Sequence, residues 1–473
     1  MKKRIYLVVN FIFGTFSKYF IWILLCAVVV GMLISTSYYI PDKAVFRANT
    51  LLDYFSFLIV SLFIILGFFL IDKLKIKPSL LLSLYFIAGT AFILLVPLEP
   101  FSDMGAVYTI ARNGFHGNTD YLVNNSNNIF TTMVMFILLR INDSFVTLKF
   151  VQLLANLLIC VMSYQIFRHL FPDVSINKSI FYYFFLLNFS VFLYINHVYN
   201  DILATAFTVG SIYALICFDF SNNAKLRSFQ ILIVSVCSFY AYSFRPNCLI
   251  LLIAILIYLF FTKRMLDILI LLISWIGLAA GFSFLSAQIL PETKEQFPIW
   301  SFLQMGIDKD SLGFQNGSHA TSWQSNDFFS KLTEFSLTDF IKFITKKNFW
   351  LWTEGTYQAR RYAIGYPEET TFAYETFITK QLYSTTAISI IEKLQRSYYF
   401  ITMLFAAVGT YHLNPKNKES RILLHLIIGF VIFYTFWELK SRYIYTLYPI
   451  FSIFALYGVA VIQQSRQKYT NRK

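Results

Sequence analysis

Two aspartates lie beside long apolar runs, at positions where a carboxylate could do chemistry at a membrane surface. Asp103 follows an apolar run in the segment EPFSDMGAVYTIARNG, and Asp201 lies between two runs in INHVYNDILATAF. A carboxylate in such a place can take a proton from a hydroxyl group or bind a metal ion. The alternatives are that Asp103 is a solvated loop acid and that each aspartate caps the helix that follows it.

Two arginines lie at the ends of other apolar runs, and the first of them, Arg245, suits the recognition of a phosphate. Arg245 precedes Pro246 in SFYAYSFRPNCLILLIAIL, and Arg442 lies in TFWELKSRYIYTLYP. A guanidinium group can bind a phosphate through two parallel hydrogen bonds. The alternatives are that Arg245 extends to lipid headgroups, and that Arg442 forms a helical ion pair with Glu438, four residues earlier.

A third group of candidates combines aromatic rings with an acid, as sugar-binding surfaces do. Trp352, Glu354 and Tyr357 lie close together in FWLWTEGTYQARRYAIG. The alternative is that the aromatic rings anchor the chain at a membrane interface. We predict that Trp352, Glu354 and Tyr357 bind substrate. The predicted substrate-binding set also includes Tyr199, Glu438 and Tyr443, which are neighbours of the charged residues described above.

The composition indicates what kind of structure positions these residues. Of the 473 residues, 57% are hydrophobic and only 14% are charged, whereas soluble domains carry about 25% charged residues. The 53 Phe and 31 Tyr residues suit a protein with long lipid–water boundaries. The net charge of +14 is scattered between apolar runs, which argues against nucleic acid as a partner. The sequence therefore predicts an all-α integral membrane protein with membrane lipids around it.

The apolar runs predict about twelve transmembrane helices. A spanning helix needs about 20 apolar residues. The run 129–140 is too short to cross, and we expect it to form a juxtamembrane helix on the outer surface. The predicted spans are 19–40, 54–71, 79–97, 145–168, 179–197, 201–219, 228–245, 247–262, 266–289, 397–412, 421–437 and 443–463.

The distribution of charge predicts the orientation of these spans. With twelve spans both termini are cytoplasmic, and the cytoplasmic segments hold 20 of the 39 bases but only 5 of the 25 acids. This bias is typical of the inner side of a membrane protein. It predicts that the segments 98–144 and 290–396 lie outside, together with all four charged candidates. The second segment is longer than an ordinary connection, and its amphipathic parts predict short surface helices.

The order of these motifs resembles a known family. A span is followed by an outer loop with an SD acid, a short surface helix, two spans, an outer YND acid, an outer RPN and a late ExxxRY. This order is similar to that of the GT-C-type glycosyltransferases, in the clan of the protein O-mannosyltransferases and bacterial aminoarabinose transferase. The resemblance covers 79–463, so the first two spans would be an addition. The predicted regions are 1–78, a catalytic module 79–289, an outer loop 290–396 and a C-terminal part 397–473.

The resemblance implies transfer of a sugar from a polyprenyl-phosphate carrier to an acceptor on the outer face. The acceptor would be a cell-wall polymer, another glycan or a lipid, and a single displacement would invert the linkage. Asp103 would be the general base or the carboxylate that orients the acceptor, Asp201 would be the second catalytic carboxylate, and Arg245 and Arg442 would bind the donor phosphate. Members of the clan differ in their use of a divalent metal ion, so the metal requirement stays open.

Two departures and two other functions limit this interpretation. Asp103 lacks the second acid that relatives often have, and Asn127 and Asn128 replace a proline pair before the surface helix. A polymerase or ligase for lipid-linked glycans would use a similar architecture, with its chemistry on bases of the late loop. A transporter or flippase would need a polar pathway through the spans, and we find none in the sequence. The late-loop bases in question are Arg360, Arg361 and His319.

Overall fold

The described part of the chain is built almost entirely from helices. The computed structural model describes residues 2–40, 43–116, 119–218, 223–289, 299–314, 325–367 and 370–470. This confirms the prediction of a nearly all-helical fold. The α-helices in these ranges are α1 (Lys2–Ile34), α2 (Leu51–Leu74), α3 (Pro78–Leu95), α4 (Ser102–Arg112), α5 (Asp120–Asn124), α6 (Ile129–Ile141), α7 (Phe145–Leu170), α8 (Lys178–Leu186), α9 (Phe189–Leu193), α10 (Asp201–Cys217), α11 (Ala224–Phe244), α12 (Leu249–Phe261), α13 (Met265–Ile289), α14 (Ile299–Gly306), α15 (Ser325–Thr333), α16 (Leu337–Thr353), α17 (Phe377–Leu382), α18 (Thr385–His412), α19 (Ser420–Phe436) and α20 (Tyr448–Thr470).

Six of the described helical segments are long and apolar enough to cross a membrane. This is compatible with an integral membrane protein, as the composition predicted. Four further apolar helices are shorter, at 10–17 residues, and they include the predicted surface helix α6. The count of twelve spans therefore stays a prediction. The six segments are Phe11–Ile34, α2, α3, α7, α13 and Ser441–Ser465.

The predicted span 179–197 is not one straight helix. It consists of α8 and a second piece, Phe189–Asn196, and the two are bent by 64°. The break lies at Asn188, whose side-chain oxygen accepts a hydrogen bond from the backbone N–H of Val191 at 3.2 Å. An asparagine that caps a new helix start in this way competes with the continuation of the preceding helix.

A β-hairpin follows α1, where the sequence predicted the end of a span. Strand β1 (Ser35–Ile40) pairs antiparallel with β2 (Lys43–Ala48). The extension of the first span to residue 40 is therefore wrong, because the helix ends at Ile34. The hairpin packs on α16, where the indole N–H of Trp350 donates to the carbonyl oxygen of Tyr38 at 3.1 Å.

The first two long helices belong to the same hydrophobic core as the rest of the chain. Leu25 of α1 and Phe57 of α2 are buried in that core, and the ring of Phe57 stacks on Phe400 of α18 at 4.6 Å. Helices α18 and α20 approach closely through two glycines. A Cβ atom on Gly409 or Gly458 would meet the backbone of the facing helix. Small residues permit this close approach.

The late segment also contacts the first predicted outer loop. Leu98 and Phe372 form an isolated antiparallel β-bridge, and the backbone N–H of Ala373 donates to the carbonyl oxygen of Pro97 at 2.9 Å. The hydroxyl of Thr376 donates to the carbonyl oxygen of Leu95 at 2.6 Å. Two segments that the charge pattern predicted on one side therefore lie together.

A buried lysine ties α16 to two other elements. Lys347 is fully buried, and its ammonium group donates to the carbonyl oxygens of Gly306, Thr435 and Trp437. The last two distances are 3.2 and 2.6 Å. One side chain therefore satisfies three backbone acceptors at the ends of α14 and α19, which would otherwise be buried without a donor.

Candidate functional site

An ion pair between Asp201 and Arg245 forms the centre of the site. Asp201 Oδ1 lies 2.5 Å from Arg245 Nη1, and the side chains are 0% and 5% exposed. Asp201 is the first residue of α10, while Arg245 follows α11, which ends before Pro246 because proline disfavours a helical residue ahead of it. Asn200 is the N-cap of α10. Asp201 is thus a buried partner of arginine and not a cap, and Arg245 does not extend to headgroups.

His197 adds a third polar group to this pair. Its Nε2 atom lies 3.4 Å from Asp201 Oδ2, and its side chain is 4% exposed. The imidazole ring packs against the ring of Tyr362 with 5.6 Å between their centres. The carboxylate of Asp201 therefore faces a guanidinium on one oxygen and an imidazole on the other.

Arg442 lies next to this pair, in a 3₁₀ turn, Ser441–Leu447, that precedes α20. Arg245 Nη1 donates to the carbonyl oxygen of Arg442 at 3.3 Å. The guanidinium of Arg442 lies 4.0 Å above the ring centre of Tyr362 and 5.5 Å from that of Tyr199. Its Nε and Nη1 atoms are buried and have no hydrogen-bond acceptor in the described part of the chain. These donors are suited to an anionic ligand.

The helical ion pair between Glu438 and Arg442 does not form. Residues 437–440 lie between α19 and the 3₁₀ turn, so the two side chains do not share an α-helix. Glu438 is buried, its Oε1 lies 2.5 Å from Lys440 Nζ, and its Oε2 accepts a hydrogen bond from the hydroxyl of Tyr443 at 2.7 Å. Tyr443 in turn packs beneath Arg245, with 5.2 Å from the guanidinium to the ring centre.

Asp103 lies in the first turn of α4 and is half-buried. The hydroxyl of Tyr121 hydrogen-bonds to Asp103, and burial, together with the charges of Tyr199 and Asp103, raises the pKa of Tyr121. The hydroxyls of Tyr121 and Tyr199 are 3.5 Å apart. Ser102, just before the aspartate, has a φ of 50°, which non-glycine residues rarely adopt. Tyr121 and Tyr199 thus connect Asp103 to Arg442, because the ring of Tyr199 faces the guanidinium of Arg442.

The segment 354–366 carries an unusual backbone beside this cluster. Tyr357 and Gln358 have φ values of 54° and 53°, and Gly355 and Gly365 are also in the left-handed region. A π-helical turn, Arg360–Ile364, follows and holds Tyr362 against Arg442. Such strained backbone persists where the surrounding structure enforces it, often at functional sites.

Glu354 lies in the wall of a neighbouring cavity of about 310 Å³. Its carboxylate accepts hydrogen bonds from the backbone N–H of Thr356 at 3.0 Å and from the hydroxyl of the same residue. Burial raises the pKa of Glu354. Arg360 and Arg361 line the same cavity.

Trp352 and Tyr357 lie in the hydrophobic core. Trp352 is 2% exposed and its ring meets Phe451 edge-on at 6.2 Å. Tyr357 is equally buried and meets Tyr399 edge-on at 5.6 Å. Their predicted role in sugar binding stays a prediction, and the buried rings are not positioned as interfacial anchors either.

The sequence did not single out several residues of the site. Tyr362 packs against His197 and Arg442 in space, but it precedes Arg442 by 80 positions and no local pattern marks it. Tyr121 and Asn128 lie within the first predicted outer loop, and the Asn128 amide donates to the Tyr121 hydroxyl at 3.0 Å. The sequence feature that could have identified Tyr121 and Asn128 is their position just before the predicted surface helix α6.

The donor set does not fit a metal centre built from protein ligands. In the described ranges, no group of three or more His, Cys, Asp or Glu side chains could hold a metal ion. Asp103 and Asp201 contact tyrosine, arginine and histidine side chains. His319, a candidate for the polymerase or ligase alternative, lies outside the described residues. No protein-family model matches the sequence, and no curated protein matches it either.

Proposed function

We propose that this chain is a membrane glycosyltransferase that moves a sugar from a polyprenyl-phosphate carrier to an acceptor hydroxyl. The observation that carries the proposal is the buried guanidinium of Arg442. It has two N–H groups without an acceptor among the described residues. The ring of Tyr199 lies between this guanidinium and the region of Asp103. Anion binding and a nearby carboxylate base are the two requirements of this reaction.

The roles of the residues follow from their surroundings. The acceptor oxygen attacks the anomeric carbon, the bond from that carbon to the phosphate oxygen breaks, and the phosphate leaves with the electron pair. Asp103, which is half-buried, takes the proton of the acceptor hydroxyl. Arg442 stabilises the departing phosphate. Asp201 is completely buried against Arg245, so we assign it a positioning role in place of the direct catalytic role expected from the resemblance.

The same proposal includes a twelve-span topology with the site on the outer face. Six long apolar segments, the bent pair and three shorter apolar helices other than α6 supply ten candidate spans by length and composition. Helices α11 and α18 lie at the two remaining predicted spans. The contacts between the first loop and the late segment support a common side for both. Cell-wall polymers, other surface glycans and lipids are the acceptor classes available on that side.

The test is sugar transfer by the purified protein with a polyprenyl-phosphate-sugar donor. Asp103→Asn removes the proposed base and should lower the transfer rate by about 10²- to 10³-fold. Asp143→Asn is the matched control, because Asp143 belongs to the same loop but is 57% exposed and pairs with Arg112, which is also exposed. Full transfer by Asp103→Asn would exclude the proposed mechanism, provided that the control also retains activity.

The polymerase or ligase alternative is favoured by one observation. Arg360 and Arg361 line the cavity of about 310 Å³ together with Glu354. In that case the late-loop bases would carry the chemistry. Arg360→Ala would then abolish the reaction while Asp103→Asn retained it, the reverse of the pattern expected for the single-sugar transferase.

A further inference from the structure

The cavity beside Glu354 is built from segments that are far apart in the sequence. Its walls come from the hairpin at Thr36 and Arg47, the start of α2 at Asp53, the segment 354–366 and the first turns of α18. Its volume of about 310 Å³ is at the lower end of the range for small-molecule sites, which begins at about 300 Å³. The cavity is separate from the ion pair of Asp201 and Arg245.

Positive charge exceeds negative charge in the lining. Three carboxylates face five bases, and two of the carboxylates are already paired. Asp53 Oδ1 lies 2.5 Å from Lys393 Nζ and 3.7 Å from an Arg47 nitrogen. Glu392 Oε1 lies 3.3 Å from Arg360 Nη1. The third carboxylate is Glu354. The five bases are Arg47, Arg360, Arg361, Lys393 and Arg396.

Buried donors remain without partners around this space. Arg396 is 5% exposed, and its Nη1 donates to the hydroxyl of Thr36 at 2.6 Å. Its Nε finds no acceptor among the described residues. Gln358 is 3% exposed, and neither its amide nitrogen nor its oxygen has a partner in the same ranges. Buried polar groups without partners are costly, so a ligand that pairs with them is favoured.

We propose that this cavity binds a phosphate group carried on a small polar unit, as in a glycerol phosphate or a sugar phosphate. The guanidinium groups of Arg361 and Arg396 and the ammonium group of Lys393 bind the phosphate. The side-chain amide of Gln358 binds the polar unit. The volume corresponds to about ten water molecules at about 30 Å³ each, which suits such a group. The inference holds whichever reaction the Asp103 region performs.

The test measures binding of glycerol phosphate to the protein in phosphatidylcholine nanodiscs by calorimetry, with glycerol as the uncharged control. Arg361→Gln should weaken the affinity by about tenfold, since a charge-assisted hydrogen bond is lost. Lys380→Gln removes the same charge from an exposed pair with Glu375 and should leave the affinity unchanged. Neither measurement needs a donor or a transfer reaction, so failure of the proposed function would leave this result intact.

A second variant separates a binding role from a structural one. Glu392→Gln breaks the ion pair with Arg360 but raises the charge of the cavity by one. If the cavity binds an anion, this variant should bind glycerol phosphate about threefold to tenfold more tightly than the wild type. If the ion pair is purely structural, the affinity should not increase.

Nanodiscs with phosphatidylglycerol distinguish the source of the phosphate. If this lipid competes with glycerol phosphate in the wild type but less in Arg361→Gln, the ligand is a lipid headgroup and the proposed chemistry stands. If neither glycerol phosphate nor phosphatidylglycerol responds to Arg361→Gln and Glu392→Gln, the proposal is overturned.

Discussion

A buried aspartate pairs with arginine at each of two places in the molecule, the candidate site and the region near the start of α11. The two pairs differ in how exposed their arginines are. At the end that carries the candidate site, Asp201 is 0% exposed and its partner Arg245 is 5% exposed. The second pair lies near the start of α11, where Arg227 precedes Arg245 by 18 positions, or about 27 Å along a helix. There Asp267 is 2% exposed, but its partners Arg227 and Arg264 are 34% and 20% exposed.

The two pairs differ in how far water reaches their charged groups. At the opposite end Asp267 is buried, but water reaches the arginines, so their charges keep much of their solvation. At the site end both charges are taken out of water, and such a pair is often no more stable than a well-packed apolar one. We infer that the pair of Asp201 and Arg245 is kept to position Arg245 and Arg442, whereas the pair of Asp267 and Arg227 fixes the connection between α11 and α13.

The largest expected effect comes from Asp201→Asn at the site end. The change leaves the buried charge of Arg245 without its carboxylate and should lower the free energy of unfolding by about 3–5 kcal/mol. Denaturation of the purified protein in mild detergent measures the loss. Asp201→Asn with Arg245→Met removes both charges and should recover part of it. Unchanged stability of the single variant would contradict the account of a buried charge pair.

Lys347→Met is the second test of the site end. Three carbonyl oxygens lose their donor, and we expect a loss of about 2–3 kcal/mol in the free energy of unfolding. The matched control is Lys346→Met, because Lys346 is exposed on the same helix. Equal stabilities of the two variants in the same detergent assay would show that the buried ammonium does not hold α14 and α19.

The smallest effect is expected at the opposite end. Asp267→Asn leaves two arginines that water can still reach, so the loss should be about 1 kcal/mol or less. Added salt should reduce the difference from the wild type, since exposed charges are screened. A loss as large as that of Asp201→Asn would remove the distinction between the two ends.

The helices could be predicted from the sequence because apolar runs alone indicate them. The short run before Arg140 was predicted as a separate helix and is α6. The hairpin was not predicted, because only three small polar residues, 35–37, separate the apolar residues 38–40 from the preceding run, and a long apolar window tolerates so short an interruption. The bend at Asn188 was missed for the same reason. Composition in a window of about 20 residues cannot detect a single capping side chain.

The site was predictable in part. Asp201, Arg245 and Arg442 were chosen for their positions at the ends of apolar runs, and the structure brings them together. Tyr362 and Arg396 could not be chosen, because their partners lie tens to hundreds of positions away. Lys347 had a local signal: it is a base four residues after Phe343 on the apolar face of an amphipathic segment.

The separation in sequence between the walls of the cavity beside Glu354 determines when the cavity can form during synthesis. The hydrogen bond from Arg396 to Thr36 spans 360 positions, and the ion pair from Lys393 to Asp53 spans 340. The hairpin leaves the ribosome early, whereas the start of α18 is made only after more than three quarters of the chain. The cavity is therefore among the last parts to be completed, and a nascent chain stalled before residue 396 cannot contain it.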